Sequence, residues 1–340
     1  MYVLEINRVV DEVLRRGAKK VLLQLPDGLK REGLALARAI EGRTGATVIL
    51  SCGRCYGACD LALDEALALG ADLTFHYGHS AWRLSGIKTP VFFVEAKSEV
   101  GVTRSIKEAA TLLDGIERVG LAAPLQLVHK LHAAQRLLRE MGKRVLIGDK
   151  APGVAYDGQV TGCNYGSAIS VAGRVEAFVV LGGGTFHALG LALATGKMTI
   201  AADPFLNDAV DVAPMRRRVL KQRWALISKA EGYDSFGVIV GLKPGQRRLK
   251  EAMGVKARLE RHGKQAVLLS ISDVDDEALR SFEDIDAFVN TACPRVAIDD
   301  LAGFSRPMFL PAEIDVAMGE ARWDADNPLP INDHFRLILG

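Results

Sequence analysis

Five cysteines punctuate the chain: Cys52, Cys55 and Cys59 in SCGRCYGACD, Cys163 in TGCNYGSA, and Cys293 in NTACPR. An odd count spread so thinly makes no disulfide framework, and thiols used this sparingly are more often buried, catalytic or metal-bound. Cys59, Cys163 and Cys293 sit in three separate loops beside glycine, alanine or proline, residues that let a bulky ligand approach the backbone. Taken singly, each is equally readable as a small buried hydrophobe. Brought together, they could hold an iron–sulfur cluster. A [4Fe–4S] site normally takes four cysteines, one per iron. Three would leave an iron open to substrate, for Lewis-acid activation or one-electron transfer. Cys52, Cys55 and Cys59 also form C-x2-C-x3-C, a run able to hold zinc or a cluster alone. His76 and His79, one strand later, are the nearest further ligands. The plainer reading makes Cys52 and Cys55 incidental, or supports behind the site.

Other residues could orient a ligand. Gly182, Gly183 and Gly184 could turn backbone N–H groups toward a carboxylate, or form only a tight turn. Pro26, Asp27 and Gly28 open a helix, where free N–H groups favour an anion, although Asp27 as an N-cap needs no ligand. His79 and His187 stand just past corresponding strands and are candidates for moving a proton, with structural hydrogen bonding as the simpler role. The basic run Arg216, Arg217, Arg218, Lys221 and Arg223 could dock an acidic partner, but reads more readily as a solvated helix face.

The elements that must position these residues recur at a period of roughly 110 residues. Short apolar runs ending in Pro or Gly open each copy: VLLQLPDG from Val21, RVGLAAP from Arg118 and FGVIVGLKPG from Phe236. Such runs read as buried strands of a parallel sheet. A helical stretch follows each. Leu29, Gly33, Leu36, Ala37 and Ile40 mark the first, and Leu127, Leu131, Ala134 and Leu138 the second. The third is weaker, with Leu249 and Met253 at helical spacing. Second strands are expected in ATVILS, KRVLIG and QAVLLSI, and third strands in ADLTFHYGHS, VEAFVVLGGGTFH and IDAFVNTACPR. The expected fold is α/β: three similar parallel-sheet domains arranged around a shared central site, over residues 1–114, 115–213 and 214–340. A helix from Val212 joins the second unit to the third, and an irregular tail runs from about Leu310. Ligands of open α/β sheets collect at the carboxyl ends of the strands, where all three cysteines fall.

Bulk properties bound the function. The chain has 340 residues, 49% hydrophobic and 25% charged, ample for a folded core. A net charge of +2 gives no global basic field, so no nucleic-acid partner is expected. No apolar run is long enough to span a membrane, and the opening residues mix charges among apolar ones, unlike a signal peptide. A cytoplasmic protein is expected.

CYGACD at Cys55–Asp60, CNYGSA at Cys163 and TACPR around Cys293 resemble the diphthamide synthase family, the 2-(3-amino-3-carboxypropyl)histidine synthases that modify translation elongation factor 2. The resemblance extends to QLPDGL, to GHS at Gly78–Ser80, to LGGGTFHALG at Leu181–Gly190, to the run from Arg216, and to LPAEIDVAMG. It implies a [4Fe–4S] cluster on Cys59, Cys163 and Cys293, with S-adenosylmethionine near the open iron. The reduced cluster would break the bond from sulfur to the methionine γ-carbon, and the 3-amino-3-carboxypropyl radical would add to C2 of a histidine. A homodimer and an external electron donor are also implied. The C-x3-C-x2-C spacing of ordinary radical enzymes of this cofactor is absent, and Cys52 departs from the family pattern. Two other classes fit parts of the sequence: an iron–sulfur dehydratase resembling quinolinate synthase, and a non-enzymatic zinc or redox scaffold on Cys52, Cys55 and Cys59.

Overall fold

The computed structural model describes residues 2–81, 89–299 and 303–323. Three sheets carry the fold. The first contains β1 (Lys20–Gln24), β2 (Thr47–Leu50), β3 (Leu73–Tyr77) and β4 (Val91–Val94), in the order β2-β1-β3-β4. The second contains β5 (Arg118–Ala122), β6 (Arg144–Leu146), β7 (Ala177–Leu181), β8 (Met198–Asp203) and β9 (Asp208–Asp211), in the order β6-β5-β7-β8-β9. The third contains β10 (Ser235–Gly241), β11 (Gln265–Ile271), β12 (Ala287–Asn290) and β13 (Met308–Phe309), in the order β11-β10-β12-β13. Apart from the shared order, only β9 differs, pairing antiparallel at the edge of the second sheet. β3, β7 and β12 are buried along their whole length, as strands covered on both faces must be.

Helices cover these sheets. In the first unit they are α1 (Ile6–Arg16), α2 (Gly33–Thr44) and α3 (Leu63–Leu69). The second has α4 (Thr103–Thr111), α5 (Leu131–Glu140), α6 (Gly166–Ile169) and α7 (Phe186–Thr195). The third has α8 (Ala213–Ile227), α9 (Leu249–Arg261), α10 (Asp276–Arg280), α11 (Pro294–Asp299) and α12 (Pro311–Ala317). α1 and α4 precede the first strands of their sheets, and α8 is the expected helix joining the second unit to the third. The boundary expected at residue 114 therefore moves. Val102, Ile106, Ala109 and Leu113 pack into the core of Val119, Leu121 and Val179, so α4 belongs to the second unit. Another core is shared by the second and third sheets, joining Phe178 and Leu191 to Ile239, Phe288 and Met308.

Four sequence expectations change. Each unit has a fourth strand beyond the three expected, and the segment after Leu310 begins with α12 rather than an irregular tail; residues 324–340 lie outside the described ones. In α9 the buried stripe is Ala252, Val255 and Leu259, while Leu249 and Met253 face solvent. Arg223 is no solvated residue of α8. It is 1% exposed, pairs with Glu313 of α12, and donates to the carbonyls of Ala297 and Met308. Arg217, Arg218 and Lys221 are exposed, as a solvated face requires.

Candidate metal centre

In every sheet the chain leaves the first strand to one side and returns on the other, which opens a crevice beyond the carboxyl ends of the two central strands. The loops there touch. A Cβ at Gly78 would lie 2.7 Å from Pro26, and one at Gly182 3.3 Å from Pro124. Cys293 follows β12 directly, and Asn290 fixes its loop: the Asn290 Nδ2–H donates to the Cys293 carbonyl at 2.8 Å and its Oδ1 accepts from the Ala292 N–H. Thr161 shapes the Cys163 loop, its Oγ1 accepting from the N–H groups of Cys163 and Asn164. Cys59 is held from the third unit: the Gly245 N–H donates to its carbonyl at 2.8 Å, and Gln246 Nε2 lies 3.6 Å from its sulfur.

These loops bring the three sulfurs within each other's electrostatic reach. Burial pushes the Cys59 thiol above its ordinary range, and the charges of Cys163 and Cys293 add to that push. Burial and then Cys293 push Cys163 up to about 11, and burial also raises Cys293. Raised in this way, the three groups favour the neutral thiol, and a bound cation would favour the thiolate. Soft sulfur donors in that number suit an iron–sulfur cluster or a thiophilic metal. Positive charge is already at hand. Arg248 is buried, donates to the Thr291 carbonyl, and feels all three thiols. Arg295 donates to the hydroxyl of Tyr165 and the carbonyl of Phe186, and its guanidinium lies 3.8 Å from the Phe186 ring centre.

The other expected residues fall in different places. His187 opens α7 beside Phe186 and the Arg295 charge; burial, then Arg295, hold it down to about 3. His79 lies with His76 and Cys55 in a separate group, and burial holds it down to about 4. Burial thus lowers the basicity of both histidines considered for moving a proton. The glycine nest is corrected too. The Gly182 N–H donates to the Ala202 carbonyl and the Gly184 N–H to Asp203 Oδ2 at 2.7 Å, so two of the three donors are already engaged. Pro26, Asp27 and Gly28 lead into a 3-10 turn, not directly into an α-helix. Asp27 makes no capping bond and instead pairs with Lys30 at 2.6 Å. Of the compact three-cysteine run, Cys52 is exposed, Cys55 buried and Cys59 between the two. Sequence reasoning missed Gly245, Gln246 and Arg248. Their signal is GLKPGQRR, a glycine-bearing turn with basic residues at the end of a central strand.

Comparison with known proteins places this geometry. The family model described as "Putative diphthamide synthesis protein" matches residues 25–328. A 2-(3-amino-3-carboxypropyl)histidine synthase of Pyrococcus horikoshii is 38% identical over 314 residues, covering 92% of this chain and 90% of that protein. Subunit 1 of the corresponding synthase of Gallus gallus is 29% identical, covering 100% of this chain and 82% of its own length. The crystal structure of Dph2 from Pyrococcus horikoshii with a 4Fe-4S cluster matches with a TM-score of 0.86 and 36% identity, covering 95% of this chain and 93% of that one.

Proposed function

The chain belongs to the diphthamide synthesis protein family, and from that premise we propose that it transfers the 3-amino-3-carboxypropyl group of S-adenosylmethionine to imidazole C2 of a histidine on translation elongation factor 2. The observation that carries this reading is the meeting of Cys59, Cys163 and Cys293 from three sheets beside the buried Arg248. The three sulfurs would hold a [4Fe–4S] cluster, the group present in the Pyrococcus horikoshii relative. Bound there, it would supply one electron to the sulfonium and so break the sulfur–γ-carbon bond. This chain's own part is placement and charge. Arg248 would offset part of the thiolates' negative charge and so make an added electron easier to accept, while Arg295 is already paired with Asp299. The loops carrying Pro26 and Gly182 border the same strand-end crevices and are the surfaces for orienting the cofactor, since the choice of bond broken is a matter of position. A homodimer working in the cytoplasm with an external electron donor completes the proposal.

The test is anaerobic. Protein reconstituted with iron and sulfide, reduced with dithionite and given S-adenosylmethionine should release methylthioadenosine. With elongation factor 2 present, it should label the target histidine. Cys163→Ala should abolish both the cluster absorbance and the cleavage. An intact, reduced cluster that leaves S-adenosylmethionine whole would overturn the reading.

A further inference from the structure

We propose that Cys55, His76 and His79 form a second metal site, built for one zinc ion and distinct from the three-thiol centre. One ligand atom from each lies within 4.8 Å of the others. The two imidazole nitrogens facing each other, His76 Nε2 and His79 Nδ1, are 2.9 Å apart. Two nitrogens on a tetrahedral zinc at about 2.0–2.1 Å would stand about 3.3 Å apart, so this pair needs to open by only a few tenths of an ångström.

The fold prepares this group. His76 is an inward residue of β3, and Gly78, at φ +80°, turns the chain so that His79 comes back against it. Cys55 reaches in from the loop after β2 and is buried. Gln24 fixes the chemistry of His76 from the neighbouring strand. Its Nε2–H donates to the Asp60 carbonyl at 2.6 Å and its Oε1 accepts from the Ala62 N–H at 3.1 Å, which settles which end of the amide faces His76. That same Oε1, at 2.7 Å, can only accept, so His76 carries its proton on Nδ1 and turns a lone pair on Nε2 toward His79 and Cys55. A metal-binding histidine is usually oriented through its other nitrogen in this way.

Burial holds His76 and His79 below the ordinary histidine range. Burial also keeps Cys55 protonated, its thiol pushed up to about 12. An entering zinc ion would displace that proton and take the thiolate. One sulfur with two imidazoles is a zinc donor set, and His79 is partly exposed. The bound ion would tie β3 to the loop that carries Cys59.

The experiment is metal analysis of anaerobically prepared holoenzyme exposed to zinc and then gel-filtered. Expected is about one zinc per chain alongside the iron, with zinc X-ray absorption reporting one sulfur and two imidazole nitrogens. Cys55→Ser and His76→Asn should lose most of the zinc and keep the iron, whereas Cys163→Ala should do the reverse. Wild-type protein that retains no zinc would overturn the proposal, as would zinc that persists in folded Cys55→Ser or departs with Cys163→Ala. A failure of S-adenosylmethionine cleavage would leave it untouched, because it rests on different residues and a different readout.

Discussion

A methyl group at Gly245 would lie 2.5 Å from both Cα and Cβ of Cys59, while the Gly245 N–H already donates to the Cys59 carbonyl. Gly245→Ala must therefore push apart the two loops that present this thiol. It should cut the iron retained after reconstitution by roughly tenfold, a drop of about 1.4 kcal/mol in cluster affinity, with unchanged far-ultraviolet circular dichroism. Iron analysis against wild type is the check. The cysteines themselves were visible in the sequence as candidates, being thiols beside small residues at strand ends. Gly245, Gln246 and Arg248 were not, since their importance arises only when the third unit's loop reaches across to the first. The glycines at 182–184 failed for a related reason: a distant acceptor, Asp203, had already claimed a donor. The group of Cys55, His76 and His79, with Gln24 bonded to His76, comes from different loops and strands, which spacing along the chain does not reveal.

For whole elements, periodicity succeeded where the apolar run was long and failed where two faces competed. The nine strands expected all formed, because continuous Val, Leu and Ile runs bounded by Gly or Pro have few other homes. The four extra strands escaped notice: β13 is two residues long, β4 and β9 only four, and the six-residue β8 adds a helix-to-strand step that the three-strand repeat did not provide for. In α9, Leu249 and Met253 drew attention as large hydrophobics, but the smaller Ala252 and Val255 with Leu259 make the stripe that meets the sheet. Leu259→Ala should therefore lower stability by about 2–5 kcal/mol, whereas Met253→Gln should stay within about 0.5 kcal/mol. Urea unfolding of the two variants separates the faces.

Across the molecule, the third unit is tied together through a buried ion pair. Glu313 accepts from Arg223 of α8 and from the Leu310 N–H at the start of its own helix, and Arg223 reaches on to α11 and β13. Glu313→Gln leaves a buried guanidinium without its counter-charge and should cost about 3–5 kcal/mol, while replacing both partners with Met and Leu should restore much of the loss. Thermal unfolding of the single and double variants tests it. The α/β plan of three mostly parallel sheets was legible in the recurring strand runs. The packing of α4 onto the second sheet and the core shared by the second and third sheets were not, because they are contacts between units.

The wide separation of Cys59, Cys163 and Cys293 along the chain also sets a timetable for the nascent protein. A ribosome adding about 5–20 residues per second delivers the first of these thiols on the order of tens of seconds before the last. During that interval Cys59, and later Cys163, wait without Cys293, the loop of Gly245 or the charge of Arg295, all encoded downstream. Cys55, His76 and His79, by contrast, leave the ribosome almost together. The first unit can therefore gather its own ligands early, while the three-thiol centre can close only when synthesis is nearly finished.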